Sequence, residues 1–230
     1  PVKRKLPEPL GVMEPILMPD TALPDSLIDS LIQVLGEENV LTDPYDLDRY
    51  SGDALSPTRA FGAEDAFDRL ADVVARPGST DDVCAVLKLA NESGTPVIPF
   101  GAGTGVMGAT VPALGGIVLD LQRMNKILAI NPTDMTAEVE AGVVLEDLEN
   151  ALALQGLMPG HDPYSVPIAT VAGTIATNGV GYRAGAHGPM GDQVVALALP
   201  LIHITTPTRP TLTSYACFCL TKKTNTPYTH

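Results

Sequence analysis

Pro99-Phe-Gly-Ala-Gly-Thr-Gly-Val-Met-Gly108 closes the apolar run Pro96-Val-Ile-Pro-Phe100, which reads as a short strand. Four glycines fall within residues 101–108, and Thr104 carries the one hydroxyl. Glycine lacks a Cβ and takes positive φ without strain, so such a loop bares its peptide N–H groups and lets them close on an anion. A strand that empties into a glycine loop is one way proteins hold a phosphate or pyrophosphate.

The surroundings separate the loop types. A Walker loop ends in Gly-Lys-Ser/Thr, and no lysine lies between Lys88 and Lys126. The dinucleotide fingerprint G-x-G-x-x-G is formally present as Gly103-Thr-Gly105-Val-Met-Gly108, but it has to open a helix. Here Ala109-Thr-Val-Pro-Ala-Leu-Gly-Gly116 follows, and Pro112 with its two glycines leaves no room for one. What remains is a glycine loop that needs neither lysine nor helix, or a plain surface loop.

A second stretch bears on that choice. Ala169-Thr-Val-Ala-Gly-Thr-Ile-Ala-Thr-Asn-Gly-Val-Gly181 is small, hydroxyl-bearing and uncharged, and Asp162-Pro163 precedes it. Between the two regions run Gly116-Ile-Val-Leu-Asp-Leu-Gln-Arg-Met-Asn-Lys-Ile127, Thr136-Ala-Glu-Val-Glu-Ala-Gly142 and Gly156-Leu157. In this order the blocks resemble the FAD-binding domain of the vanillyl-alcohol oxidase/p-cresol methylhydroxylase (PCMH-type) superfamily, over residues 65–200. Within it the sequence looks closest to the D-lactate dehydrogenase and glycolate oxidase D-subunit branch.

Composition bounds the function. With 230 residues, 45% of them hydrophobic and 18% charged, the chain can bury a sizeable core. A net charge of −13 argues against a nucleic-acid partner, which needs clustered Lys and Arg. Cys84, Cys217 and Cys219 make neither a disulfide framework nor a zinc spacing. No apolar run is long enough for a membrane helix, and the expected location is cytoplasmic, with peripheral membrane association or an organelle left open.

The periodicity gives a coarse fold. Pro24 to Gly36 is an amphipathic helix with Ser26 and Asp29 placed as a capping box. Asp72 to Arg76 is a strand, Ser79 to Ser93 a helix boxed by Ser79 and Asp82, and Val97-Ile98 and Ile117 to Leu121 are further strands. Strand, helix and strand at this spacing predict a parallel pair. Lys126–Ile130 and Thr136–Glu140 predict an antiparallel hairpin, Leu145 to Gln155 a helix, and Val194 to Leu199 a strand. The two glycine regions thus fall in different lobes.

The resemblance implies an α+β fold of the PCMH type, a small parallel βαβ lobe followed by a mixed or antiparallel lobe, with FAD between them. It implies that Pro99, Gly101, Ala102, Gly103, Thr104 and Gly105 hold the pyrophosphate. It implies that Pro163, Thr170, Gly173, Thr177, Asn178, Gly179 and Gly181 line the flavin and ribityl side. Relatives that bind FAD covalently often carry a histidine in the first loop; this loop has none, so noncovalent FAD is implied. Where many relatives have Arg-Tyr-Gly, this chain has Ala186-His187-Gly188. His187 reads as a turn residue, and His161 is a second histidine near the site.

The implied parent oxidises a 2-hydroxy acid such as D-lactate or glycolate by hydride transfer to FAD. The alternatives are a non-catalytic flavin- or nucleotide-binding module and a phosphate-dependent transferase. Expected domains are an extended arm over 1–20, an N-terminal helix and lead-in over 21–64, an incomplete FAD-binding domain over 65–200 and a divergent tail over 201–230. That tail, rich in threonine and without an acid, is expected to pack poorly. Family members continue with a cap domain that binds substrate, so the chain is expected to be truncated and inactive alone.

Overall fold

The computed structural model describes residues 23–55 and 69–198, and the backbone of 215–222. The expected N-terminal arm lies outside them. Leu27, Leu31 and Leu35 recur at helical spacing and are the buried residues of α1 (Asp25–Leu35). The expected capping box is not there. The helix starts two residues earlier, with Pro24 in place of Ser26 as an N-cap that offers no side-chain acceptor.

A short strand β1 (Val40–Leu41) leads into α2 (Pro44–Tyr50), which Asp43 caps by accepting the Tyr45 N–H at 2.9 Å. Next come β2 (Val73–Ala75), α3 (Thr80–Ser93), β3 (Val97–Phe100) and β4 (Ile117–Asp120). Ser79 caps α3 as expected, accepting the Asp82 N–H at 3.1 Å, while the Asp82 carboxylate reaches the Gly78 N–H at 2.9 Å.

These strands form a sheet in the order β1-β2-β4-β3. β2 and β3 run parallel as predicted but do not touch, because β4 lies between them and pairs in parallel with both. Alternation sorts the sheet's side chains. Val73, Ala75, Ile117 and Leu119 pack with α1 and α3, whereas Val74 and Val118 pack with Tyr50 and Phe100. Both faces are covered, which explains the continuous apolar run Ile117-Val-Leu119.

The second lobe opens with the predicted hairpin of β5 (Ile127–Asn131) and β6 (Thr136–Glu140). It continues with α4 (Leu145–Ala153), β7 (Leu157–Pro159), α5 (Val171–Ala176), α6 (Ala184–His187) and β8 (Val194–Ala198). Leu145, Leu148 and Leu152 of α4 pack on Ala137 and Val139 of β6 and on Leu157 and Val171.

The expectation of a poorly packed tail is corrected over part of its length. Residues 215–222 form β9 (Tyr215–Lys222), which pairs antiparallel with β6, β7 and β8 and so lies inside the second sheet. Tyr-Ala-Cys-Phe-Cys-Leu-Thr-Lys favours extended backbone, and its first seven residues carry no charge, which suits an interior strand. Residues 201–214 and 223–230 lie outside the described residues.

Candidate functional site: a groove between two glycine regions

Pro99 sits in β3, paired with Leu119, and the chain leaves the sheet at Gly101. The loop that follows starts at the carboxyl end of a parallel strand, the end at which open α/β sheets bind ligands. None of the peptide N–H groups from Gly101 to Met107 is spent on a partner among the described residues. Gly103 has φ +63°, a conformation that other residues adopt only with strain, and a Cβ there would come within 3.1 Å of the Phe100 ring. The loop therefore offers a row of bare donors on a backbone that needs glycine.

The second region begins with α5. Thr170 is its N-cap, buried, and accepts the Gly173 N–H at 3.3 Å. A backbone bridge from Thr170 to Val144 ties it to the start of α4. A Cβ on Gly101 would collide with the Thr170 hydroxyl oxygen. The first glycine of one region thus rests on the cap of the other, and the two regions named from sequence meet here.

Beside this contact lies a groove of about 680 Å³, a size typical of small-molecule sites. Tyr50, Phe100, Ala102 and Gly103 of the first lobe line it together with Val144, Pro167 and Ile168 of the second. Gly52 and Asp53 are also in its wall. Asp53 accepts the Leu55 N–H at 2.8 Å and the Gly108 N–H at 2.9 Å, so a strap between α2 and β2 grips the glycine loop.

The remaining expected residues lie farther along. Thr177 donates its hydroxyl to the Gly173 carbonyl at 3.0 Å at the end of α5. Asn178, at φ +48°, accepts the Gly191 N–H at 2.9 Å. Gly179 covers His161, Gly181 lies against the Asp162 backbone, and the Pro163 carbonyl accepts the Val166 N–H at 3.1 Å. Thr177, Asn178, Gly179 and Gly181 are separated from Thr170 along the chain by α5, about 9 Å long at 1.5 Å per residue. The whole set matches an elongated ligand better than a compact one.

Arg183 fixes this far end. Its Nε meets the Asp162 carboxylate at 3.1 Å, its guanidinium donates to the Pro159 carbonyl at 3.1 Å, and its N–H donates to Asp162 at 2.7 Å. His161 is 2% exposed and neither ring nitrogen has a hydrogen-bond partner. Burial lowers its pKa, partly opposed by the Asp162 charge. His187 ends α6, beside Gly160.

A second polar centre supports the loop from beneath. Asp120, wholly buried at the end of β4, accepts from the Tyr50 hydroxyl at 3.0 Å, from Arg76 Nε at 3.3 Å and from the Gln122 N–H at 3.0 Å. Burial, and next the Asp120 charge, push the Tyr50 phenol up to about 12. The Tyr50 ring meets Phe100 edge-on at 4.9 Å. Tyr50 and Asp53 escaped the sequence reading because single polar residues nearly 50 positions before a motif carry no spacing signal. Asp120 lies inside the Gly116–Ile127 block, but it is tied to Tyr50 and Arg76 by contacts 70 and 44 positions apart in sequence. Asp43-Pro44, a cap followed by proline, was the available sign of α2.

A ligand with an anionic part fits these features: bare amides at Gly101–Met107 and, beside them, a groove whose wall includes Ala102 and Gly103. No group of three or more His, Cys, Asp and Glu able to hold a metal occurs among the described residues, and none of their helices is long and apolar enough to cross a membrane.

Comparison with known proteins agrees with this fit. The family model described as "FAD binding domain" matches residues 71–201. The glycolate oxidase subunit GlcD of Bacillus subtilis (strain 168) is 34% identical over 173 residues, which are 75% of this chain and 35% of that protein. A D-lactate dehydrogenase of Anaerostipes hadrus is 40% identical over 130 residues, 56% of this chain and 27% of that one. The chain thus spans about a third of the length of these relatives. A solved alkyldihydroxyacetonephosphate synthase superposes with a TM-score of 0.73 at 22% identity, covering 87% of this chain and 44% of that one, which speaks to fold. The chain belongs to the FAD binding domain family, whose cofactor is FAD.

Proposed function

We propose that this chain is the FAD-holding part of an oxidoreductase that oxidises a 2-hydroxy acid, with the cofactor held noncovalently across the two glycine regions. The observation that carries this reading is the contact of Gly101 with Thr170, which brings a row of unspent amides to a groove shared by two lobes. In that role Gly101, Ala102, Gly103, Thr104 and Gly105 bind the pyrophosphate through backbone N–H groups, with Pro99 aiming the loop. Pro163, Thr170, Gly173, Thr177, Asn178, Gly179 and Gly181 shape the flavin side, where the lack of bulk admits a flat ring. FAD supplies the two-electron acceptor; the chain's task is to bind it, orient it and keep one face open to substrate.

Glycolate and D-lactate, named in the relatives, are both 2-hydroxy acids, which supports that substrate class for the whole protein. Noncovalent attachment is supported by the absence of any His, Cys or Tyr from residues 101–108 and by the burial of both His161 nitrogens. Two measurements test the proposal. Acid precipitation of the yellow protein should leave the flavin in the supernatant, and colour in the pellet would overturn noncovalent binding. Anaerobic addition of D-lactate or glycolate to the whole protein should bleach the flavin. A flavin bleached by neither acid would remove the substrate class.

A further inference from the structure

We propose that Asp53 is a positioning residue that selects which amides of the glycine loop face the groove. The strap Gly52-Asp-Ala-Leu55 runs beneath the loop and holds it at several points. Ala54 N–H donates to the Gly105 carbonyl at 2.8 Å, and the Thr110 hydroxyl donates to the Gly52 carbonyl at 3.0 Å. Asp53 takes the Leu55 N–H at one carboxylate oxygen and the Gly108 N–H at the other. The strap is itself anchored, since the preceding Ser51 hydroxyl donates to the Leu47 carbonyl at 2.5 Å and accepts the Ala71 N–H at 2.8 Å.

Two consequences follow from peptide geometry. In a planar trans peptide the C=O and the next N–H point in opposite directions. Ala54 draws the Gly105 carbonyl down, so the Val106 N–H is turned away from the strap. Asp53 meanwhile removes the Gly108 N–H from the set of free donors. The anion-binding row is thereby confined to Gly101–Met107, and the loop is held open before any ligand arrives.

Charge sharpens the argument. A carboxylate in the wall of an anion site repels its ligand, and Asp53 is in that wall. Its two oxygens are each occupied by a backbone N–H, which spends the charge on ordering the loop. Repulsion and positioning predict opposite signs when the carboxylate is removed, and that makes the role testable.

The inference rests on the loop being the pyrophosphate site, so the experiment separates the two. The full chain and its Asp53→Ala, Asp53→Asn and Thr110→Val variants are titrated with FAD by flavin fluorescence. Amide hydrogen exchange over residues 101–108 is measured without FAD, alongside the melting temperature. Positioning predicts faster exchange of the Gly108 N–H, the amide of that segment bonded to Asp53, in Asp53→Ala with the melting temperature nearly kept. It also predicts binding weaker by about tenfold, the size of a lost hydrogen bond to a charged group. Asp53→Asn, which keeps one acceptor, falls between, and Thr110→Val, which loosens the strap alone, shifts exchange in the same direction. Tighter FAD binding by Asp53→Ala, or unchanged exchange in both Asp53 variants, overturns the inference. If the unaltered chain binds no FAD, the pyrophosphate reading falls and the exchange measurement alone decides the role of Asp53.

Discussion

Gly101 rests directly on the hydroxyl of Thr170, so closely that the smallest side chain at Gly101 would occupy the position of that oxygen. The contact joins the end of β3 to the start of α5, and through them the parallel lobe to the antiparallel one. Close packing at such a point leaves little room to relax, so a single methyl group there acts as a wedge.

Gly101→Ala should therefore weaken FAD binding by about tenfold or more and cost about 1–3 kcal/mol of stability, the usual range for overpacking. Thr170→Ala removes the obstructing oxygen but also the cap of α5, costing about 1 kcal/mol alone. The double variant should be more stable than the sum of the two losses, because the collision is gone. A double-mutant cycle by urea unfolding measures this, and additive losses would show that the two residues do not touch.

Asp120 joins β4 to α2 and to Arg76 at the root of the glycine loop. Asp120→Ala leaves a buried Tyr50 hydroxyl unpaired and frees Arg76. The expected cost is on the order of 2–3 kcal/mol, below that of a fully buried pair because Arg76 is 34% exposed to screening water. Tyr50→Phe, which keeps the edge-on ring contact with Phe100, should cost only about 1 kcal/mol. Equal losses in the two variants, read by denaturant midpoint, would contradict this ranking.

His161 gives a pH signature. Burial lowers its folded pKa below the ordinary 6.5, and Asp162 opposes only part of that shift. Above 6.5 both folded and unfolded forms are neutral and the residue adds no pH dependence. As pH falls below 6.5 the unfolded chain takes the proton first, so stability drops until the folded pKa is passed. The melting temperature of His161→Leu should accordingly fall less between pH 7 and about pH 5 than that of the unaltered protein. Parallel curves would remove His161 as the source.

Much of this was legible because repeated patterns carry the information. The apolar spacing of Leu27, Leu31 and Leu35, the Ser79 cap and the turn at Asn131-Pro-Thr-Asp134 each announce an element by local chemistry. Sheet order was not legible: nothing near Val73 or Val97 shows that β4 inserts between their strands, since pairing joins residues distant in sequence. β9 was obscured because threonine-rich flanks outweighed an eight-residue run of strand formers. For the site, glycine loops announce themselves by composition, whereas Asp53 and Asp120 act through contacts to Gly108, Tyr50 and Arg76 that only the fold assembles.

The central claim is that the glycine loop holds FAD through its backbone, and FAD titration of the purified chain and of its Gly103→Val and Gly105→Val variants tests it most directly. Flavin fluorescence should be quenched by the unaltered chain. It should scarcely change with Gly103→Val, where positive φ and the Phe100 ring both oppose a side chain. Gly105→Val should be impaired less, since its φ is not in the left-handed region and a Cβ there lies 3.4 Å from the Asp53 carboxylate. Absence of quenching by the unaltered chain, or full retention of FAD by a folded Gly103→Val protein, would contradict the account.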